Sequence, residues 1–256
     1  MTNLTVDGAR IGYRTEGSGP GLVFVHGTGP GSVIWRGFAE RFAGRNTVIL
    51  PDLSGSDPVE DDGGELTVEA LTRQLAAVIE DTGRGPVDVL GFSLGAVVAL
   101  SLAATRPDLV RRLIPVAGWS HTEDEYLRNA LEIWHRLGGD SAGFARFSML
   151  TGFSRRHLNE IGRDAVEELA AYFVSTPNRL RQVDLNRRVD IRHLLPLIQA
   201  PTLVIGTARD ALIPVETSRD LHASIPGSSY AELDAGHVAY LERPEEFDKL
   251  VRDFTA

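Results

Sequence analysis

An uninterrupted apolar run, Val87–Leu90, passes through Gly91-Phe-Ser93-Leu-Gly95 directly into a small-residue-rich helical pattern, Leu94–Thr105, stopped by Pro107. This junction constrains the fold more than any other feature. A run with no polar alternation reads as a strand covered on both faces, and such strands belong to parallel sheets flanked by helices. The same grammar recurs along the chain. Gly21–Val25, Thr47–Leu50, Leu113–Val116, Thr202–Ile205 and Tyr230–Leu233 read as strands. Leu66–Asp81, with apolar residues at 68, 71, 75, 78 and 79, and Val215–Ile225 and Pro244–Phe254 read as helices. Two short alternating pieces, Leu4–Val6 and Ile11–Arg14, joined at Asp7-Gly8, predict an antiparallel hairpin. The expected class is α/β, a mostly parallel central sheet with helices on both faces.

One block breaks the alternation. From about Trp119 to Leu195 there is no convincing strand, only helical patterns such as Tyr126–Leu137 and Ala165–Val174. The expected organisation is a core formed by residues 1–118 and 196–256, with 119–195 a helical lid inserted between two strands.

The Gly-x-Ser-x-Gly pentapeptide holds the first candidate for chemistry. Between a strand and a helix, it forces Ser93 onto a tight turn where flanking side chains would collide with backbone. The hydroxyl is lifted above the sheet beside helix N–H groups. A serine nucleophile needs a base, and the base needs an orienting acid. Of the seven histidines, His121, His135, His157, His193 and His222 read as ordinary helix residues. His26 reads as a brace for its own loop. His237, in Asp234-Ala-Gly-His237, follows the last strand, at the sheet edge where sites form. Asp210, in the loop Gly206-Thr-Ala-Arg-Asp210, lies at the same edge. For the oxyanion, the expected donors are the backbone N–H groups of Leu94 and of Thr28, in His26-Gly-Thr-Gly-Pro-Gly31.

The order Ser93, Asp210, His237 resembles that of the α/β-hydrolase superfamily, and the likeness runs through nearly the whole chain. His26-Gly27 followed by Trp35, and Gly236-His237 followed by Arg243-Pro244, are similar to that family's segments. The run His-Gly-Thr-Gly-Pro-Gly-Ser…Trp is similar to the loop of serine-dependent carbon–carbon bond hydrolases. Three departures stand beside it: Val238 where those enzymes carry Trp, Gly95-Ala96 where many relatives have Gly-Gly, and Asp52-Leu-Ser-Gly-Ser-Asp57, which lacks a second glycine. The resemblance implies a cofactor-independent serine hydrolase that cleaves an ester, thioester or lactone of a small to medium apolar substrate. The alternatives it leaves are carbon–carbon cleavage of ring-cleavage-type diketones, or a cofactor-free lyase, cyclase or perhydrolase. Trp35, Val238, Arg187 and Arg188 are the candidate substrate contacts. The two arginines belong to a stretch, Thr176–Arg192, with five arginines against two aspartates, which could meet an anionic substrate or an acyl carrier.

Other classes fit less well. A net charge of −9 argues against nucleic-acid binding. The absence of cysteine excludes disulfides and thiolate metal sites, and no metal is expected. Lys249 is the only lysine, and no Gly-Lys pair exists for a phosphate loop. Gly27-Thr-Gly29-Pro-Gly31 has Ser32 at the third glycine position of a dinucleotide fingerprint. A non-catalytic receptor on the same fold stays open, since a fold does not dictate a function. The N-terminus shows no apolar signal segment, and the longest apolar stretch, Val89–Leu100, is broken by Gly91, Ser93 and Gly95. The expectation is a cytoplasmic protein without membrane contact.

Overall fold

The computed structural model describes all residues 1–256. Eight strands form one sheet: β1 (Thr2–Val6), β2 (Ala9–Gly17), β3 (Gly21–Val25), β4 (Thr47–Asp52), β5 (Val87–Phe92), β6 (Val110–Val116), β7 (Leu203–Thr207) and β8 (Ser229–Leu233). The order across the sheet is β1-β2-β4-β3-β5-β6-β7-β8. β1, β2 and β4 pair antiparallel, and all pairs from β4–β3 onward are parallel. β3, β4, β5 and β7 are buried along their whole length, which explains their unbroken apolar runs.

Helices α1 (Val68–Thr82), α2 (Leu94–Thr105), α7 (Val215–Ser224), α8 (Ala239–Glu242) and α9 (Pro244–Thr255) belong to the sheet domain. α1 starts at Thr67, whose side chain accepts the Ala70 N–H, and stops at Gly83 with φ 61°. α2 is buried from Leu94 to Ala103, so it is apolar all round rather than amphipathic. Apolar clusters lie on both faces of the sheet.

Between β6 and β7 the chain forms α3 (Glu125–Arg136), α4 (Ser141–Gly152), α5 (Arg155–Ala170) and α6 (Pro177–Asn186) and no strand. Two expectations need correction here. The helix expected at Ala165–Val174 is instead the end of α5, which is capped by Ser154, starts at Arg155, kinks at Gly162 (φ 79°) and ends at Ala170. His121, read as a helix residue, is not helical; it forms an isolated bridge to Asp190. No helix is long and apolar enough to cross a membrane.

Because β3, β5, β7 and β8 run parallel, the loops that follow them emerge at one edge. The chain turns from β3 to β4 on one side and to β5 on the other, and a crevice opens at such a reversal.

Candidate active site

Ser93 directly follows β5 and is the N-cap of α2, with φ 56° and ψ −122°. It is one of three non-glycine residues with positive φ, and its conformation is sparsely populated for an L-residue. The neighbouring glycines are sterically required. A Cβ on Gly91 would lie 2.2 Å from the Gly95 carbonyl oxygen, and one on Gly95 would lie 2.5 Å from the Val25 and His26 carbonyl oxygens. Ala96 in place of a second glycine is buried and is accommodated.

The structure brings the three sequence-predicted residues into one line. His237 Nε2 is 2.9 Å from Ser93 Oγ, and His237 Nδ1 is 2.6 Å from Asp210 Oδ2. Asp210 also accepts the Thr207 hydroxyl at 2.9 Å and the N–H groups of Leu212 and Ile213 at 2.9 and 2.8 Å. An acceptor-only carboxylate facing Nδ1 requires the proton there, which leaves Nε2 free to accept the Ser93 hydroxyl. The Phe92 ring packs on the imidazole with centroids 4.8 Å apart and fixes its plane.

Thr28 follows β3 across the crevice. Gly27 lets this loop approach, since a Cβ there would stand 2.9 Å from Ser93 Cβ. Neither the Thr28 nor the Leu94 N–H donates to another protein group. His26 is a brace, as expected: Nδ1–H donates to the Gly27 carbonyl at 2.7 Å, and Nε2 accepts the Leu53 N–H at 3.0 Å. Burial holds its pKa below the ordinary histidine value, so the ring is neutral.

A cavity of about 220 Å³ opens over Ser93 and His237. Its wall is largely apolar and includes Ile34, Leu212 and Val238 from the sheet domain, and Trp134, Leu169 and Phe173 from the α3–α6 segment. Ser148 also faces it, but its hydroxyl accepts the Trp134 indole N–H at 3.0 Å and donates to the Phe144 carbonyl at 2.8 Å. Tyr240 lines the cavity as a neutral phenol, its pKa pushed up by burial. Of the four candidate substrate contacts, Val238 is in the cavity wall.

Trp35, Arg187 and Arg188 are not. Trp35 has no exposed surface and packs behind the pocket against Tyr240 (4.7 Å), Phe24 (5.3 Å) and Phe92 (6.1 Å). Its conspicuous spacing reflects an aromatic core and not a substrate contact. Arg187 pairs with Glu132 and Asp184, and Arg188 pairs with Glu65 and Asp184, outside the cavity wall. Carboxylates far away in sequence neutralise the local cationic excess.

The residues missed from sequence are Gln182 and Asn186 on α6, together with the cavity wall of α3–α5. Gln182 Oε1 accepts the Gly29 N–H at 2.9 Å, and Asn186 Nδ2 donates to Thr28 Oγ1 at 2.9 Å. The available signal was Thr176-Pro177, a helix-capping residue followed by proline at the first helical position, which marks the start of α6.

Residues 22–250 match the family model described as the alpha/beta hydrolase family. The chain belongs to that family. It is 37% identical over 259 residues to pyrrolizixenacetamide deacetylase of Xenorhabdus hominickii, covering 99% of this chain and 97% of that protein. It is 28% identical over 259 residues to the pimeloyl-[acyl-carrier protein] methyl ester esterase of Aeromonas salmonicida, covering 95% and 98%. Among solved structures it superposes with a TM-score of 0.91 on MGS-M2, an alpha/beta hydrolase from a deep-sea metagenome of the Medee basin. That match has 20% identity and covers 99% of this chain and 97% of the other. This alpha/beta hydrolase is thus a hydrolytic enzyme.

Proposed function

We propose that the enzyme hydrolyses an ester, thioester or lactone with a small or medium, uncharged, apolar acyl part. The observation that carries this is the Ser93–His237–Asp210 hydrogen-bonded line on the floor of a cavity whose wall is apolar. Ser93 Oγ attacks the carbonyl carbon while His237 Nε2 takes its proton. The new imidazolium is stabilised by Asp210, and the oxyanion is held by the Thr28 and Leu94 N–H groups. The carbon–oxygen or carbon–sulfur bond then breaks, and His237 returns the proton to the leaving group. Water, deprotonated by His237, attacks the acyl-Ser93 carbonyl; the acyl–oxygen bond to Ser93 breaks as His237 returns the proton to Ser93 Oγ, and the acid leaves. Side chains, backbone N–H groups and water handle every proton in this sequence. The α3–α6 segment acts as a lid, in that it supplies six of the seventeen residues of the wall and shields the site from bulk water.

A second reading, removal of an acetyl group from an amide, is favoured by the 37% identity to the deacetylase. It uses the same groups, with the proton on His237 passed to the departing nitrogen. The test is a fluorophosphonate probe together with p-nitrophenyl acetate and butyrate, an N-acetyl arylamide, and a vinylogous 1,5-diketone. We expect labelling at Ser93, turnover of the esters, and none of the diketone. Turnover of the arylamide at kcat/KM equal to or above the esters would favour the second reading. Unlabelled folded protein, indistinguishable from Ser93→Ala, would refute both.

A further inference from the structure

α6 carries three buried polar side chains on one face. Arg179, Gln182 and Asn186 are spaced three and four residues apart and are exposed by 5%, 1% and 1%. Arg179 docks the helix onto the sheet domain through Asp57 at 2.6 Å. The other two reach the Thr28 loop, one at Thr28 itself and one at the next residue. Asn186 donates to the Thr28 hydroxyl, and Gln182 accepts the N–H of the next peptide, at Gly29.

The loop needs such a grip. Gly29 has φ +150° and Gly31 has φ +98°, and a Cβ added at Gly29 would meet nothing within 4 Å. Glycines in this conformation, with open space around the first, leave the peptide planes free to rotate. Before Thr28, the packing of Gly27 against Ser93 fixes the chain. After it, the Gly29 peptide plane is set by Gln182. With both sides held, the direction of the Thr28 N–H is determined. The sheet domain makes room for this contact at Gly55, where a Cβ would lie 2.5 Å from Gln182 Cγ. Asn186 is held in place although its Oδ1 is buried without a partner. An orphaned buried acceptor is unfavourable, and here it accompanies a donor directed at Thr28.

We propose that Gln182 and Asn186 are positioning residues of the inserted segment that aim the Thr28 N–H at the carbonyl oxygen attacked by Ser93. The assignment rests on the serine-hydrolase reading above, and it makes the insertion part of the oxyanion site as well as its cover.

The test uses Gln182→Met, which keeps shape and removes the acceptor, Asn186→Leu, Thr28→Val, and the Thr28→Val/Asn186→Leu pair. Rates on p-nitrophenyl acetate are expressed per fluorophosphonate-titratable Ser93, so that misfolded protein does not count. Phenylboronic acid affinity reports on the tetrahedral geometry. Deleting an oxyanion donor costs about 10²–10³ in kcat, so misaiming one should cost about tenfold. We expect kcat to fall about tenfold in each single α6 variant with KM within about twofold, and boronate affinity to fall in step with kcat/KM. In the Thr28→Val background, Asn186→Leu should add no further loss. A kcat per labelled site within about twofold of wild type in both α6 variants, or a loss of kcat with unchanged boronate affinity, would overturn the assignment. If wild-type Ser93 takes no label, the hydrolase reading itself fails, and the positioning role falls with it.

Discussion

Replacing Ser93 by glycine and by alanine should give an inverted order of stability. At φ 56° and ψ −122° a residue with a Cβ is strained by about 1–3 kcal/mol. Ser93→Ala keeps the Cβ and the strain and loses the 2.9 Å hydrogen bond to His237, worth about 1 kcal/mol. Ser93→Gly loses the same bond but releases the strain, against about 0.4–1 kcal/mol of added freedom in the unfolded chain. Neither variant removes a helix cap, because the Ser93 side chain makes no capping bond. Ser93 also lines the cavity, so losing its Cβ opens little enclosed void. The balance favours glycine over alanine by about 1 kcal/mol, whereas an unstrained helix-flanking position favours alanine by about 0.5–1 kcal/mol. Urea unfolding at constant m-value measures the difference, and thermal melts should separate by about 2–4 °C for a chain of this size. Both variants lack the Ser93 hydroxyl, and the comparison is made on stability alone. An alanine variant as stable as the glycine variant, or more so, would refute the claim that the turn stores strain at Ser93.

His26 gives a pH prediction. Its pKa is depressed in the fold by burial, so the unfolded chain binds the proton first; stability is full above about pH 6.5 and declines as pH falls toward the lowered folded value. The melting temperature of wild type should drop between pH 7 and 5 by more than that of His26→Gln, and parallel slopes would show that another group is responsible. Trp35→Ala should lower stability by about 3–5 kcal/mol while leaving KM of the folded fraction within about twofold. Val238→Ala should instead shift preference toward longer acyl chains by several-fold in kcat/KM ratios of p-nitrophenyl hexanoate to acetate. Arg187→Ala and Arg188→Ala should leave KM within about twofold for both p-nitrophenyl butyrate and the hemisuccinate, and cost less than about 1 kcal/mol. A KM rise confined to the hemisuccinate would restore the arginines as anion contacts.

Sequence reading reached furthest where one residue's backbone dictates its neighbours. The strands were legible because burial on both faces removes alternation, and α2 because it starts at Ser93 and ends before Pro107. Ser93, Asp210 and His237 were legible because parallel strands must release their following loops at one edge, and each residue sits within a few positions of a strand end. β6 was read three residues short because Val110-Arg-Arg112 interrupts the apolar run. Arg111 and Arg112 are there to meet Asp88 on the neighbouring strand, which no local window contains.

The α3–α6 insertion resisted for the same reason on a larger scale. Its helices are defined by what they lie against, and several of their arginines by partners more than a hundred positions away. Arg179 answers Asp57, Arg181 answers Asp61, and Arg188 answers Glu65. Read alone, those arginines resemble an anion site; folded, they fasten α6 to the loop after β4. The neutral side chains between them then become the informative ones. An arginine close to Thr28 would need a counter-charge, whereas an amide holds the loop without adding a net charge. Arg179 shares a face of the helix with Gln182 and Asn186 but reaches Asp57, while the two amides reach the Thr28 loop. Charge excess along a sequence is therefore a poor guide to a pocket whose own wall is apolar.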